Sequence, residues 1–566
     1  MRYYALACDY DGTLASGGRV PPETLGALRS LRESGRKLIL VTGRRLADLR
    51  TVFQQLDLFD RVVAENGAVL LAPERREERQ LAEPPGPEFV RALARRGVAP
   101  LAAGRVVVAT TRPHEVVVLA VIRELGLELQ VVFNRDAVMV LPSGVNKGTG
   151  LRAALDELAL SPHNVVGIGD AENDHGFLEL CGCAVAVADA LPAVRRRADL
   201  VTAGGNGRGV VELVDRLLRD DLAAVGARHL RLGRTPDGRE VRVQALGENV
   251  LIAGTSGAGK STLAAGLLEQ LGEGGYQFCI VDPEGDYQAL EGAVALGDAG
   301  HPPSVREVVQ LLERPSQNVS VNLLGIGLDH RPAFSEELLI AVLELRARTG
   351  RPHWIVIDEA HHLLPANWAP AALTLPRALH GVLMITVHPN HVSPAILSAV
   401  DVVIALGKAP RQTLGNFASG RGTPVPDGPA LDDLPSGEAL AWRPADARSP
   451  VRFQGVVPRA ERRRHRRKYA DGELPPERSF YFRGPEGKLN LRAQNLRMFL
   501  QVADGVDEAT WVHHLRSGDV ARWLRDAIKD PDLARAVAAL EDRELSAAES
   551  RRRVRALIEE RYTEAA

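Results

Sequence analysis

Two groups of residues in this chain have the types and spacing that phosphate chemistry requires. The first begins with Asp9 and Asp11 in CDYDGTL, two residues apart at the end of an apolar run. Gly12 lets the chain turn sharply there, so both carboxylates can face one cavity. Two such groups suit a divalent cation, and one can attack phosphorus while the other handles protons. Thr42 ends the run KLILV and offers a hydroxyl and an amide to a phosphate oxygen. Lys147, at a helix start in SGVNKG, brings a positive charge. Asp170 stands just past the run NVVGIG, with Asn173 and Asp174 in the following turn. The second group is GTSGAGKS: Gly254, Thr255, Ser256, Gly257, Ala258, Gly259, Lys260 and Ser261, with Thr262 next. Its glycines leave consecutive backbone N–H groups free to point at the phosphates of a nucleoside triphosphate. Lys260 then bridges the terminal phosphates and Ser261 ligates Mg²⁺. Farther on, HWIVIDEAHH ends four apolar residues with Asp358, suited to the metal shell, and Glu359, placed to polarise an attacking water. A Glu in that place favours hydrolysis over transfer to a bulky acceptor.

These residues need strands that end at a common edge, and the pattern supplies them. Residues 1–220 alternate short β-branched runs with helical stretches, which predicts βαβ units and a parallel sheet. Open sheets of this kind hold ligands at the carboxyl ends of their strands. Residues 68–145 break the rhythm and read as a small α+β insert, with Arg112, His114, Asn134 and Arg135 as its polar groups facing a substrate or solvent. A second α/β region, 225–450, opens with a hairpin, HLRLGRTPDGREVRVQ, and carries the second group. Residues 451–475 form a linker with the basic run Arg462, Arg463, Arg464, His465, Arg466, Arg467 and Lys468, and 476–566 read as a mostly helical module.

Composition bounds the rest. A chain of 566 residues is too long for one ordinary core. Hydrophobic residues at 45%, charged residues at 25% and a net charge of −2 describe a soluble protein with no global pull toward nucleic acid or membrane. The four cysteines are too scattered for a disulfide framework, and C-x-C at Cys181 and Cys183 lacks a second pair for a metal. No signal-peptide pattern and no membrane-length apolar run is present, so a cytoplasmic location is expected.

The order strand–Asp9-x-Asp11, strand–Thr42, Lys147, then Asp170-x-x-Asn173-Asp174 resembles the haloacid dehalogenase phosphatase superfamily. AENGA at 64–68 and the insert between the Thr and Lys motifs resemble its type IIB, Cof-like branch, which includes sugar phosphatases. The resemblance implies a Rossmann-like core with a cap. It makes Asp9 the nucleophile, Asp11 the general acid/base, Asp9, Asp11 and Asp170 the Mg²⁺ ligands, and Asn173 and Asp174 the support of the metal and phosphate shell. The hairpin, the glycine-rich loop, VDPEGDY with Glu284 and Asp286, DEAHH and VSPAILSAVDVVI together resemble the HerA/FtsK group of P-loop ATPases. That implies a RecA-like domain, ATP as ligand and a homo-oligomeric ring, with Arg411 or Arg421 as candidate finger residues. Where such motors often carry a Gln near Thr386, this chain has VHPNH, with His388. Three functions compete: a small-metabolite phosphatase regulated by or coupled to an ATPase, a DNA motor with an end-trimming phosphatase, and a polynucleotide kinase-phosphatase. The near-neutral charge and the cap favour the first. Trp511, His513 and His514 in the tail point to helix packing over a metal site.

Overall fold

The computed structural model describes residues 2–562 apart from 135, 224, 226–227, 289, 367–378, 427–432, 447–448, 460–473, 475, 529 and 542–544. Residues 1–456 form one compact unit and 457–566 another. The basic run Arg462–Lys468 and Arg135 lie outside the described residues.

The first part of the larger unit is built on an eight-stranded sheet. Its strands lie in the order Leu200–Val201, Cys183–Ala186, Val165–Gly169, Ala5–Asp9, Lys37–Val41, Arg61–Ala64, Val69–Ala72, Glu77–Gln80. The first six run parallel and the last two return as antiparallel neighbours. Ala5–Asp9 and Val165–Gly169 are buried along their whole length, as a strand covered on both faces must be. Helix Asn206–Asp220 buries Val210, Leu213, Val214 and Leu217, spaced as one helical stripe, and packs on helix Pro22–Glu33. The insert is a four-stranded antiparallel sheet, Ala102–Ala103, Val108–Thr111, Ala137–Pro142 and Leu129–Asn134 across. It has its own core of Phe89, Leu93, Val118, Val121 and Val140 beneath helices Pro87–Arg95 and Glu115–Glu124. Residues 69–80, expected in the insert, extend the core sheet instead, because Val69–Ala72 pairs back on Arg61–Ala64 through a tight Glu65–Gly67 turn.

The second part is a mixed eleven-stranded sheet. Seven parallel strands lie in the order Val402–Leu406, Val250–Gly254, Val382–Thr386, Trp354–Ile357, Phe278–Asp282, Asn318–Asn322, Ala293–Leu296. Four antiparallel strands continue its edge, including the expected hairpin His229–Arg234 and Glu240–Gln244. Residues 451–455, expected in the linker, are one of them: Val451–Gly455 pairs with Glu438–Trp442 and with His229–Arg234.

The two parts are joined through buried polar contacts at the amino ends of their strands. The His163 ring stacks on Tyr276 with centroids 3.9 Å apart, and its Nε2 lies 2.7 Å from Gly274 O. Asn164 Oδ1 lies 3.2 Å from His353 Nε2, while His353 Nδ1 accepts from the Gln277 amide at 2.8 Å. Arg351, fully buried, donates to Ala159 O at 2.7 Å and to Gln277 Oε1 and Leu312 O at 3.0 Å each. Tyr4 OH donates to Arg346 O at 3.0 Å. Burial, and then Arg228, pushes His163 down to about 4, and burial holds His353 well below the usual histidine range, so the joint is uncharged at its rings.

The smaller unit pairs a hairpin, Phe480–Phe482 with Leu491–Ala493, with five helices among the described residues. Phe480, Phe482, Phe499, Trp511 and Trp523 are buried together.

Candidate active sites

Asp9 ends its strand with its carboxylate buried, and three further buried groups close on it. Lys147 Nζ lies 2.5 Å from Asp9 Oδ1 and 2.6 Å from Asp174 Oδ1. Asp174 Oδ2 accepts from the amides of Asp170 and Ala171 at 2.8 and 2.9 Å, which fixes the loop after Val165–Gly169. Thr13 Oγ1 donates to Asp170 Oδ1 at 3.1 Å. Carboxylate oxygens of Asp9, Asp170 and Asp174 all lie within 4.8 Å of one another. Burial raises the Asp9 pKa, Asp174 and Asp170 add to this, and Lys147 opposes it. Burial also works against the charge on Lys147, but Asp174 and Asp9 outweigh it and hold the ammonium protonated. Three buried carboxylates facing one ammonium leave an excess of negative charge that a divalent cation would balance.

Lys147 owes its place to its helix. Asn146 caps helix Lys147–Glu157 by accepting from the amides of Gly148 and Thr149, and the Thr149 hydroxyl accepts from the Asn146 amide. Gly67, at φ 104°, packs so tightly that a Cβ would drive into the Asn146 carbonyl.

The remaining predicted residues fall at the rim of this pocket. Thr42, 1% exposed, accepts from the Arg44 amide at 3.1 Å through its hydroxyl. Asp11 is outside the buried triangle, with both oxygens held by Arg44 at 2.6 and 2.7 Å. Asn173 donates to Asn66 Oδ1 at 3.1 Å. The insert closes over the pocket: its edge strand Leu129–Asn134 lies against Glu172–Asp174, and Asn134 and Met139 stand over Gly43. Of the insert's other candidates, Arg112 stacks on Phe133 at 5.0 Å, and His114 Nε2 lies 2.9 Å from Ala99 O. The sequence reading missed Arg44, two residues beyond Thr42, and Glu65. The buried Glu65 carboxylate accepts from the amides of Arg105, Val106 and Val107 at 2.9, 2.8 and 3.0 Å, which ties the insert to the core. Both Glu65 and Asn66 adopt left-handed backbone, a strain that AENGA itself does not advertise.

In the second part, the loop Thr255–Gly259 joins strand Val250–Gly254 to helix Lys260–Glu273. Gly254, Gly257 and Gly259 all have positive φ, and a Cβ at Gly254 would meet the Leu406 carbonyl. Lys260 donates to Thr255 O at 3.2 Å and is 8% exposed. Burial lowers its pKa, opposed by Glu359, Asp358 and Glu284. Asp358 follows the strand Trp354–Ile357 and accepts from the Glu359 amide at 2.9 Å. Burial, and then Glu359, Asp282 and Asp286, pushes it up to about 7. Glu359 has left-handed backbone and a carboxyl raised by burial and then by Glu284. Asp282 accepts from the amides of Gly285, Asp286 and Tyr287 and so shapes the VDPEGDY turn. Thr386 ends the strand between those of Gly254 and Asp358. Arg421 is engaged by the Val400 carbonyl at 2.6 Å.

Among the described residues one further cluster has ligand spacing, His513, His514 and Asp519. His514 Nε2 accepts from the Arg483 amide at 2.9 Å and Nδ1 lies 2.8 Å from Asp519, so both nitrogens serve the tail's packing.

Residues 6–84 and 123–214 match the haloacid dehalogenase-like hydrolase family, and residues 230–349 match the helicase HerA central domain. The phosphoglycolate phosphatase of Methanothermobacter thermautotrophicus is 32% identical over 222 residues, 38% of this chain and 98% of that protein. The phosphoglycolate phosphatase of Haloarcula marismortui is 33% identical over 218 residues, 37% of this chain and 95% of that protein. A haloacid dehalogenase-like hydrolase from Bacteroides thetaiotaomicron, of known crystal structure, shares 20% identity over 38% of this chain and 99% of its own, with a TM-score of 0.33.

Proposed function

The chain belongs to the haloacid dehalogenase-like hydrolases, and we propose that it hydrolyses a small phosphomonoester with Mg²⁺, at a rate set by the nucleotide state of its HerA-like half. The observation that carries this reading is the buried triangle of Asp9, Asp170 and Asp174 around Lys147. Asp9 attacks phosphorus and takes the phosphoryl group as an acyl phosphate, while Lys147 neutralises the phosphoryl oxygens. Thr42 and Asn173 bind those oxygens. Asp11, once released from Arg44, hands a proton to the leaving alkoxide and later takes one from water. The residues fit Mg²⁺: the carboxylates of Asp9 and Asp170 and the carbonyl of Asp11 would hold it, and Asp174 would support them. It would supply charge balance for the phosphoryl group and the ionised nucleophile. The insert over Gly43 suits a small leaving group, and the similarity of this half to phosphoglycolate phosphatases supports 2-phosphoglycolate as the first candidate to test.

In the second half, Gly254–Thr262 would cradle ATP, Ser261 and Asp358 would hold its Mg²⁺, and Glu359 would activate water. A second reading, a nucleic-acid motor, is supported by the match of residues 230–349. A phosphatase panel of 2-phosphoglycolate, sugar phosphates, nucleotides and 3′-phosphorylated DNA, run with and without ATP, separates the two. Asp9→Asn should lose phosphatase activity by several powers of ten and keep ATP hydrolysis. Retained phosphatase activity removes Asp9 as nucleophile. Several-fold stimulation of ATP hydrolysis by duplex DNA at moderate salt would favour the motor.

A further inference from the structure

The histidines of DEAHH and VHPNH are not used by the proposed reaction, yet they are packed against its catalytic end. His361 is the centre of this group. Its Nδ1 lies 3.3 Å from Glu359 Oε2 and 3.1 Å from Thr386 Oγ1. Its side chain is only 9% exposed, with the His362 ring 4.0 Å away and the His388 ring 5.4 Å away. Thr386 Oγ1 also accepts from the His388 amide at 3.1 Å, which fixes the hydroxyl oxygen and leaves its proton to be given elsewhere.

One nitrogen faces two groups that make opposite demands on it. A protonated Nδ1 donates to the Glu359 carboxylate and leaves the Thr386 proton free. A bare Nδ1 accepts the Thr386 proton and gives Glu359 nothing but a lone pair against its own oxygen. The two arrangements exclude each other, because a neutral imidazole carries its proton on one nitrogen at a time. Burial, and then His362, His388, His391 and Lys260, pushes the ring down to about 4, so it is neutral. Thr386 stands at the carboxyl end of the strand between the glycine-rich loop and Asp358, where the terminal phosphate of a bound nucleotide would lie.

We propose that His361 is a positioning residue for ATP hydrolysis, aiming Glu359 at its water only when the Thr386 hydroxyl turns to the terminal phosphate. Loss of that phosphate lets the Thr386 hydroxyl donate to Nδ1 again, with the single ring proton then on Nε2, and releases Glu359. The pair His361 and Thr386 thus takes the place of a direct phosphate-sensing side chain on the VHPNH segment. This rests on Glu359 being the water-activating group.

The test uses the full-length protein and ATP with Mg²⁺. His361→Ala should lower kcat for ATP hydrolysis at least tenfold while the Kd for ATP, by isothermal titration, stays within about threefold. His361→Asn, which keeps an amide N–H near the Nδ1 position, should recover most of that rate. Thr386→Val, matched in shape to threonine, removes the competing proton and should keep kcat within about threefold of the parent, as should Thr386→Ser. The double variant of His361→Ala with Thr386→Val should be as slow as His361→Ala alone. Parent-like turnover in His361→Ala overturns the assignment, as does a tenfold loss of kcat in Thr386→Val with the Kd for ATP unchanged. Should His361→Ala not fold, His361→Asn and Thr386→Val decide: each keeps a donor facing Glu359, and a tenfold loss of kcat in both overturns the assignment. Parent-like turnover in Glu359→Gln overturns instead the water-activation reading, so the two failures are separable.

Discussion

Arg44 shows how a single side chain can set the chemistry of another. Its guanidinium spans both oxygens of Asp11 and shares the rim with Tyr10, 5.4 Å from the ring centroid. The pair is partly exposed, so it adds at most about 1 kcal/mol to stability. In the proposed reaction this pair holds Asp11 back from the leaving group until it is released. Arg44→Ala is therefore expected to leave phosphatase kcat at or above the parent value and the melting temperature almost unchanged. Parallel turnover and calorimetry measurements check this. Asp358 carries a second expectation. Its folded pKa of about 7 stands above an ordinary aspartate's ~3.9, so ionising it costs stability as pH rises through that window. A bound Mg²⁺ offsets that cost. Mg²⁺ with ATP should therefore bind about tenfold more tightly at pH 8 than at pH 6. Asp358→Asn should remove whatever part of that dependence is not the titration of ATP itself.

At the scale of elements, both sites rest on helix starts that a close-packed glycine permits. Asn146 caps the Lys147 helix only because Gly67 leaves room for its carbonyl. Gly67→Ala should shift Asn146 and carry Lys147 away from Asp9 and Asp174, costing phosphatase activity and sparing ATP hydrolysis. Asn146→Ala should lose about 1 kcal/mol of stability with a milder activity loss. Gly254→Ala is the counterpart in the other half, since its Cβ would meet the Leu406 carbonyl of the neighbouring strand. It should abolish ATP binding by titration and leave the phosphatase standing. A shared loss of both activities in either variant would mean that these helices serve the whole unit.

For the molecule as a whole, the joint sets the relation between the sites. His163 and Asn164 lie at the start of the strand ending beside Asp170, and His353 at the start of the strand ending beside Asp358. Gly274 follows the helix that begins with Lys260. Both sets of strands start at the joint, so each site lies about a strand's length from it, roughly 15 Å at ~3.3 Å per residue. An influence of ATP on the phosphatase would have the joint as its packed route. Arg351 is its fully buried keystone, and removing it leaves several carbonyls unsatisfied at roughly 1–3 kcal/mol each. Arg351→Met should split one cooperative melt of residues 1–456 into two, seen by calorimetry. The milder Asn164→Ala should keep both basal activities and lose the response of the phosphatase to ATP. An unchanged response would place the coupling elsewhere.

The sequence by itself pointed to two phosphate-handling sites and the strands that carry them. Asp9, Lys147, Asp170 and Asp174 were legible because each follows a strand or opens a helix, and strand ends of a parallel sheet converge without further information. Gly254–Ser261, Asp358 and Glu359 were legible for the same reason. Only the tertiary structure decided what depends on contacts between distant segments. Arg44 on Asp11, Glu65 on the amides of Arg105–Val107, and His361 between Glu359 and Thr386 are pairings that local pattern does not encode. The sheet also kept residues 69–80 and 451–455, because backbone pairing recruits any strand that can return to its edge. The joint was least legible of all: His163, Asn164, Arg351 and His353 look like loop residues until the two sheets bury them together. Burial, not residue type, turns those polar groups into the link between the two candidate sites.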